Sequence, residues 1–187
     1  MRETSPDTDG DRMRRWAAGD RAAFEEIVRR WEIPVGRFLA RLCGDADEAS
    51  DLTQEVFLRV YLRGANYRDE GHFRTWLYRI ALNLARDAAR RRARKPAVPL
   101  TERYDAAGRD EEHDARERAA LVAQALAALS DAQREVVVLR HYEDLSFEAM
   151  ARLLGIASTT LKSRFATAMA QLEQMLTARG LKPEHAP

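Results

Sequence analysis

A single cysteine, Cys43, among 187 residues excludes an internal disulfide. The four histidines, His72, His113, His141 and His185, stand at no metal-ligand spacing from Cys43 or from one another, so no metal site is expected. Long apolar runs are also missing. No stretch approaches the roughly 18 apolar residues of a membrane span, and the N-terminal MRETSPDTDGDRMRRWAAGD is polar and acidic, without an apolar signal core. These absences predict a soluble, cytoplasmic protein with no membrane insertion. Nor is there a nucleophile with its base, a carboxylate pair or a phosphate-cradling glycine loop at useful spacing. An enzyme is therefore not expected, and neither is a cofactor. An excess of one charge is lacking too: 31 Lys+Arg against 30 Asp+Glu leave a net charge of +1, which by itself implies no nucleic-acid partner.

The distribution of charge says more than its sum. Residues 1–95 carry 20 basic and 16 acidic side chains, residues 96–118 carry 4 and 7, and residues 119–187 carry 7 and 7. Basic charge belongs to the first half. With 45% hydrophobic residues the chain can bury one ordinary core or two small ones. The patterns below favour two: an all-α protein with helical domains at 1–95 and 119–187. The stretch 96–118 joins them as an acidic linker with two prolines, a glycine and no apolar period.

After a loose start, Asp20 is placed to cap a helix through Trp31, with Ala23, Phe24, Ile27, Val28 and Trp31 inward. Pro34 then opens a second helix, whose stripe is Val35, Phe38, Leu39 and Leu42 and which Gly44 ends. A third, from about Ala46 to Arg63, buries Leu52, Val56, Phe57, Val60 and Tyr61 and turns Asp51, Gln54, Glu55 and Arg59 outward. The loop GANYRDEGH (64–72) follows, and after it comes FRTWLYRIALNLARDAARRRARK (73–95). There Phe73, Trp76, Leu77, Ile80, Ala81, Leu84 and Ala88 recur at helical spacing on a buried stripe. On the outer side Arg79, Asn83, Arg86 and Arg90 follow at steps of four, three and four, an arrangement that suits a polyanion. An amide between guanidiniums adds base-edge hydrogen bonding to phosphate attraction. The basic residues at 90–95 also complement a helix C-terminus, the simpler explanation of that cluster taken alone.

In the second half an Ala-rich helix runs through Leu129, and Ser130 with Gln133 forms a capping box for a helix ending near Tyr142. A short helix, Ser146 to Leu154, then meets a turn at Gly155–Ala157 and a longer helix from Ser158 with Leu161, Phe165, Met169, Leu172 and Leu176 inward. Small Ala151, turning Gly155 and apolar Ile156 and Leu161 give the spacing of a helix-turn-helix, whose second helix enters a major groove. Lys162, Ser163 and Arg164, near its start, lie where groove-reading side chains belong.

Three segments in this order resemble the extracytoplasmic-function sigma factors of bacterial RNA polymerase, a two-domain group of the sigma-70 family. They are DLTQEVFLRVY (51–61), FRTWLYRIALNLARDAARR (73–91) and LSDAQREVVVLRHYEDLSFEAMARLLGIASTTLKSRF (129–165). The resemblance implies that Asp51, Gln54, Glu55 and Arg59 dock on the clamp helices of the polymerase largest subunit, with a further contact to the flap. It assigns Asn66, Tyr67, His72 and Asn83 to the −10 strand, and Arg79, Arg86 and Arg90 to nearby phosphates or bases, with a melted base captured beside the central helix. Tyr67 serves there as a stacking ring or simply as a packed loop aromatic, and Trp76 is assigned to the core. Ser158, Thr159, Lys162, Ser163 and Arg164 fall to the −35 element. The linker either threads the polymerase or is a plain tether. Restraint by an anti-sigma protein is implied as well. One departure stands out: Phe165–Gln171 reads FATAMAQ, without the arginines such helices commonly carry. Two other readings remain beside the sigma factor: a decoy that titrates an anti-sigma protein, and a free-standing helix-turn-helix regulator.

Overall fold

The computed structural model describes residues 8–64, Tyr67, residues 72–94 and residues 110–180, the stretch 110–116 by its backbone alone. The chain divides into two compact units, Met1–Arg90 and Arg91–Pro187, and every described element is helical or a turn.

The first unit starts where the sequence predicts loose chain. Helix α1 (Asp9–Ala17) is instead well capped: Thr8 Oγ1 accepts the Asp11 amide at 3.1 Å and the Thr8 amide donates to Asp11 Oδ2 at 2.9 Å. Met13 is its buried anchor. Helix α2 (Arg21–Cys43) corrects a second expectation, since one 23-residue helix replaces the two predicted to meet near Pro34. The buried positions Ile27, Val35, Phe38, Leu39 and Leu42, with half-buried Trp31, keep one helical phase across the proline. Burial of that continuous stripe outweighs the lost backbone bond and ring clash, which cost about 3 kcal/mol. Asp20 Oδ1 caps α2 by accepting the amides of Ala22 and Ala23 at 3.1 and 3.3 Å. Its carboxyl lies below the usual aspartate range, chiefly through the Arg15 hydrogen bond. Gly44 closes the helix in the left-handed region (φ 72°).

Helix α3 (Ala46–Arg63) has the predicted bounds, with Asp45 accepting the Glu48 amide at 2.7 Å. Tyr61 departs from expectation. It is 51% exposed, lying on Trp16 and Phe24 at ring separations of 5.4 and 5.3 Å instead of entering the core. Helix α4 (Phe73–Ala93) buries a face wider than the predicted stripe, adding Tyr78, Leu82 and Ala85. Tyr78 fills the space beside Phe38 of α2 at 4.8 Å, while Trp76 is only half-buried.

In the second unit helix α5 (Asp110–Ala128) begins well before Ala119, so positions 110–118 of the expected linker are helical. An acidic run favours a helix N-terminus but carries no apolar period. Residues 95–109 lie outside the described residues. Helix α6 (Asp131–Val137) has the predicted Ser130/Gln133 box and continues as one π-helical turn, Val138–Tyr142. Arg134 ties α6 back to the end of α5: its guanidinium donates to the carbonyls of Leu126, Ala127 and Leu129 at 2.8, 2.8 and 3.1 Å. Helices α7 (Phe147–Leu154) and α8 (Ser158–Ala178) form the helix-turn-helix. Ser146 caps the first, and Gly155 turns the chain at φ 68°, a conformation that disfavours any side chain. Leu161, Met150 and Leu139 are fully buried beneath the turn. Ala125, Leu126, Leu129, Val137, Ala168, Leu172 and Leu176 make the adjoining core, with Phe165 and Met169 half-buried against it.

Candidate nucleic-acid interface

The outer face of α3 carries Asp51 and Gln54 exposed, Glu55 and Arg59 half-buried. Because the helix starts at Ala46, Asp51 and Gln54 lie in its interior and cap nothing. Glu55 accepts Arg59 Nε at 2.8 Å, so this part of the face is held as an ion pair, while Asp51 and Gln54 present acid and amide to solvent. Leu58 and Leu62 continue the same line toward the C-terminus and are 51% and 67% exposed.

On α4 the predicted line is outward: Arg79, Asn83 and Arg90 are exposed and Arg86 is half-buried. It is not a row of bare cations, since Arg90 pairs with Asp87 one turn back. That (i, i+3) pair is readable in the sequence from its spacing. A phosphate arriving at Arg90 must share it with this carboxylate, whereas Asn83 offers an exposed amide among the arginines. Of the four residues assigned to the −10 strand, Asn66 lies outside the described residues, His72 is exposed just before α4, and Tyr67 is half-buried. Tyr67 packs 4.9 Å from Trp76 and 5.8 Å from Phe73, while the Tyr67 amide donates to the Gly64 carbonyl at 3.0 Å. Tyr67 and Trp76 thus form one aromatic surface at the start of α4, both residues half-buried.

At the start of α8, Thr159, Lys162 and Ser163 are exposed and Ser158 and Arg164 are half-buried. The Lys162 ammonium lies 5.9 Å from the Phe147 ring centroid, and the Arg140 guanidinium lies 5.6 Å from the same ring. Phe147 also meets Phe165 at 5.9 Å. Arg140, which sequence reasoning did not single out, therefore brings a second cation to the ring that steadies Lys162. Its position depends on the π turn and on Asp144, held at φ 46°, neither of which leaves a periodic signature. Beyond Arg164 the solvent face of α8 is uncharged to Gln171, with Ala166, Thr167, Ala170 and Gln171 exposed.

Among the described residues no group of His, Cys, Asp and Glu converges as a metal site, and no helix is long and apolar enough to cross a membrane.

Residues 27–95 match the family model for sigma-70 region 2, and residues 119–172 match that for sigma-70 region 4. The ECF RNA polymerase sigma factor SigM of Mycobacterium tuberculosis is 34% identical over 170 residues, covering 90% of this chain and 85% of SigM. The ECF RNA polymerase sigma factor SigE of Mycolicibacterium smegmatis is 39% identical over 169 residues, 86% of this chain, and the match spans only 65% of that relative's length. Among solved structures, CnrH in complex with the cytosolic domain of CnrY aligns with a TM-score of 0.71 at 26% identity, covering 91% of this chain and 97% of CnrH. Both domain models in order, with relatives matched across nearly the whole chain, establish that this protein belongs to the extracytoplasmic-function sigma factors of the sigma-70 family.

Proposed function

We propose that this protein is a cytoplasmic initiation factor that binds core RNA polymerase and directs it to promoters with specific −10 and −35 elements. Asp51, Gln54, Glu55 and Arg59 meet the clamp helices of the largest subunit, where acid and amide groups suit a basic coiled coil. Lys162, Ser163 and Arg164, with Ser158 and Thr159, read the −35 duplex. Tyr67, His72 and Asn83, with Asn66 of the same loop, hold the −10 strand after melting, and Arg79, Arg86 and Arg90 take its phosphates. The reading assigns no covalent chemistry, so it needs no catalytic residue or cofactor. Control by an anti-sigma protein draws support from CnrH, which was solved with a partner's cytosolic domain bound.

The observation that carries this reading is the exposed amide of Asn83 set among arginines on α4. Phosphate attraction alone has no use for an amide there, whereas an extruded base can be hydrogen-bonded by it. Replacing Asn83 by alanine is expected to cut permanganate reactivity of the −10 region about tenfold, within the range of one base-specific contact. The closed-complex footprint should remain. Unchanged opening in a folded variant would remove Asn83 from base capture.

A second reading is favoured by one feature. The uncharged outer face of α8 from Phe165 to Gln171 suits a decoy that occupies an anti-sigma protein without holding −35 DNA.

A further inference from the structure

Helix α1 precedes the stretch matched by the region 2 model, and no role in promoter recognition attaches to it from the comparisons. Two separate routes nevertheless lead from α1 to the aromatic surface of Tyr67 and Trp76. The first runs through Asp9, whose side chain is only 15% exposed. Asp9 Oδ2 accepts the Trp31 indole Nε1–H at 3.2 Å, and Asp9 Oδ1 accepts from Arg12 at 3.3 Å and pairs with Arg30 at 3.4 Å. The Trp31 ring lies 6.0 Å from Phe73 and 6.1 Å from Tyr78, and Phe73 touches Tyr67 at 5.8 Å and Trp76 at 5.7 Å. The second route runs through Gly64. A Cβ there would lie 2.2 Å from Trp16 and 2.8 Å from Met13, both on α1, so the backbone at Gly64 is pressed directly against that helix. The Gly64 carbonyl in turn holds the Tyr67 amide.

From this convergence we infer that α1 is a brace for the −10 site, with Asp9 and Trp31 as positioning residues that set the Tyr67–Trp76 surface. Aromatic side chains have two rotatable bonds and little internal freedom, so a chain of packed rings passes a displacement on where methylene chains absorb it. The Asp9–Trp31 bond fixes the depth and rotation of the first ring. Gly64 fixes the backbone from which the last ring projects. Arg12 and Arg30 keep the carboxylate in place, and Arg12 Nε is itself held by Glu26 at 3.1 Å.

The inference rests on the proposed capture of the −10 strand, and the test separates the two. Holoenzyme reconstituted with the full chain is titrated with the fluorescent non-template −10 strand of a promoter selected by that holoenzyme from a randomised duplex pool. Core affinity is measured in parallel. Trp31→Phe removes the indole donor together with its five-membered ring, and Asp9→Leu removes the acceptor while leaving the Trp31 ring whole. Each is expected to weaken strand binding about fivefold, the equivalent of one net hydrogen bond, with core affinity unchanged. Asp9→Asn, which retains an acceptor for the indole, should bind the strand as the parent does. Gly64→Ala, acting on the second route, should also weaken strand binding while core binding persists. Strand affinity unchanged in both Trp31→Phe and Asp9→Leu would overturn the inference, whatever their melting temperatures. So would a loss of core affinity matching the loss of strand affinity. Failure of the unsubstituted holoenzyme to bind the strand would instead remove the −10 reading beneath it.

Discussion

At the scale of single residues, the side chains that organise this protein are mostly arginines and aspartates joining one element to the next. Arg134 makes three hydrogen bonds to the final carbonyls of α5 and has a side chain only 13% exposed. Its loss strips a charged donor from all three of these helix-end carbonyls. Arg134→Ala should therefore destabilise the second domain by about 2–3 kcal/mol, the range for hydrogen bonds to a charged group. The three tryptophans, Trp16, Trp31 and Trp76, all lie in the first domain, which makes the test selective. In urea, far-ultraviolet circular dichroism should show an earlier transition while tryptophan fluorescence keeps its midpoint. A shared shift of both probes would mean that Arg134 supports more than its own domain. The residues that sequence reading missed are of this kind. The Asp87–Arg90 pair is (i, i+3) and was legible, whereas the Asp9–Trp31 bond joins residues on two helices whose packing no local pattern encodes.

At the scale of elements, legibility followed the strength of local signals. The bounds of α3 and the start of α6 were readable because a capping side chain and a clean apolar period agree at Asp45 and Ser130. Helix α1 was not, because Met13 is its only buried side chain of any size and the capping box uses Asp11 in place of Glu or Gln. Pro34 misled because its local cost is real, while the burial that outweighs it comes from α3 and α4. The candidate surfaces were largely legible as faces, less so as environments: the (i, i+4) pairing of Glu55 with Arg59 is readable from its spacing, whereas the seating of Lys162 over Phe147 is a tertiary detail. Helix α8 carries the prediction at this scale. Thr167 is exposed on its uncharged face, with its hydroxyl bonded back to the Ser163 carbonyl at 3.1 Å, whereas Met169 is half-buried against the core. Thr167→Arg should thus add a phosphate contact without disturbing packing. Filter binding of −35 duplex DNA across a salt series should show tighter binding at low salt and a slope of log K steeper by about 0.9. No gain at low salt, with helix content unchanged, would mean that α8 does not lie along DNA and would favour the decoy.

At the scale of the whole molecule, the proposed function requires both domains to act on one promoter through a separate polymerase. The net charge of +1 fits this division, since a chain that recruits polymerase need not hold DNA strongly alone. Basic charge is concentrated in the first half, and the outward acid and amide of Asp51 and Gln54 are the groups proposed to meet the polymerase. Run-off transcription by purified core RNA polymerase on a randomised duplex promoter library, with and without this protein, tests promoter-directed initiation most directly. Discrete start sites are expected only in its presence, on templates sharing two sequence blocks upstream of the start. A folded Gln54→Ala, Glu55→Ala double variant should give none, because it no longer docks. Protein that binds core polymerase yet yields no new start sites would contradict the proposed function and favour a decoy, and protein that binds the library only as a duplex, independently of core, would favour a free-standing regulator.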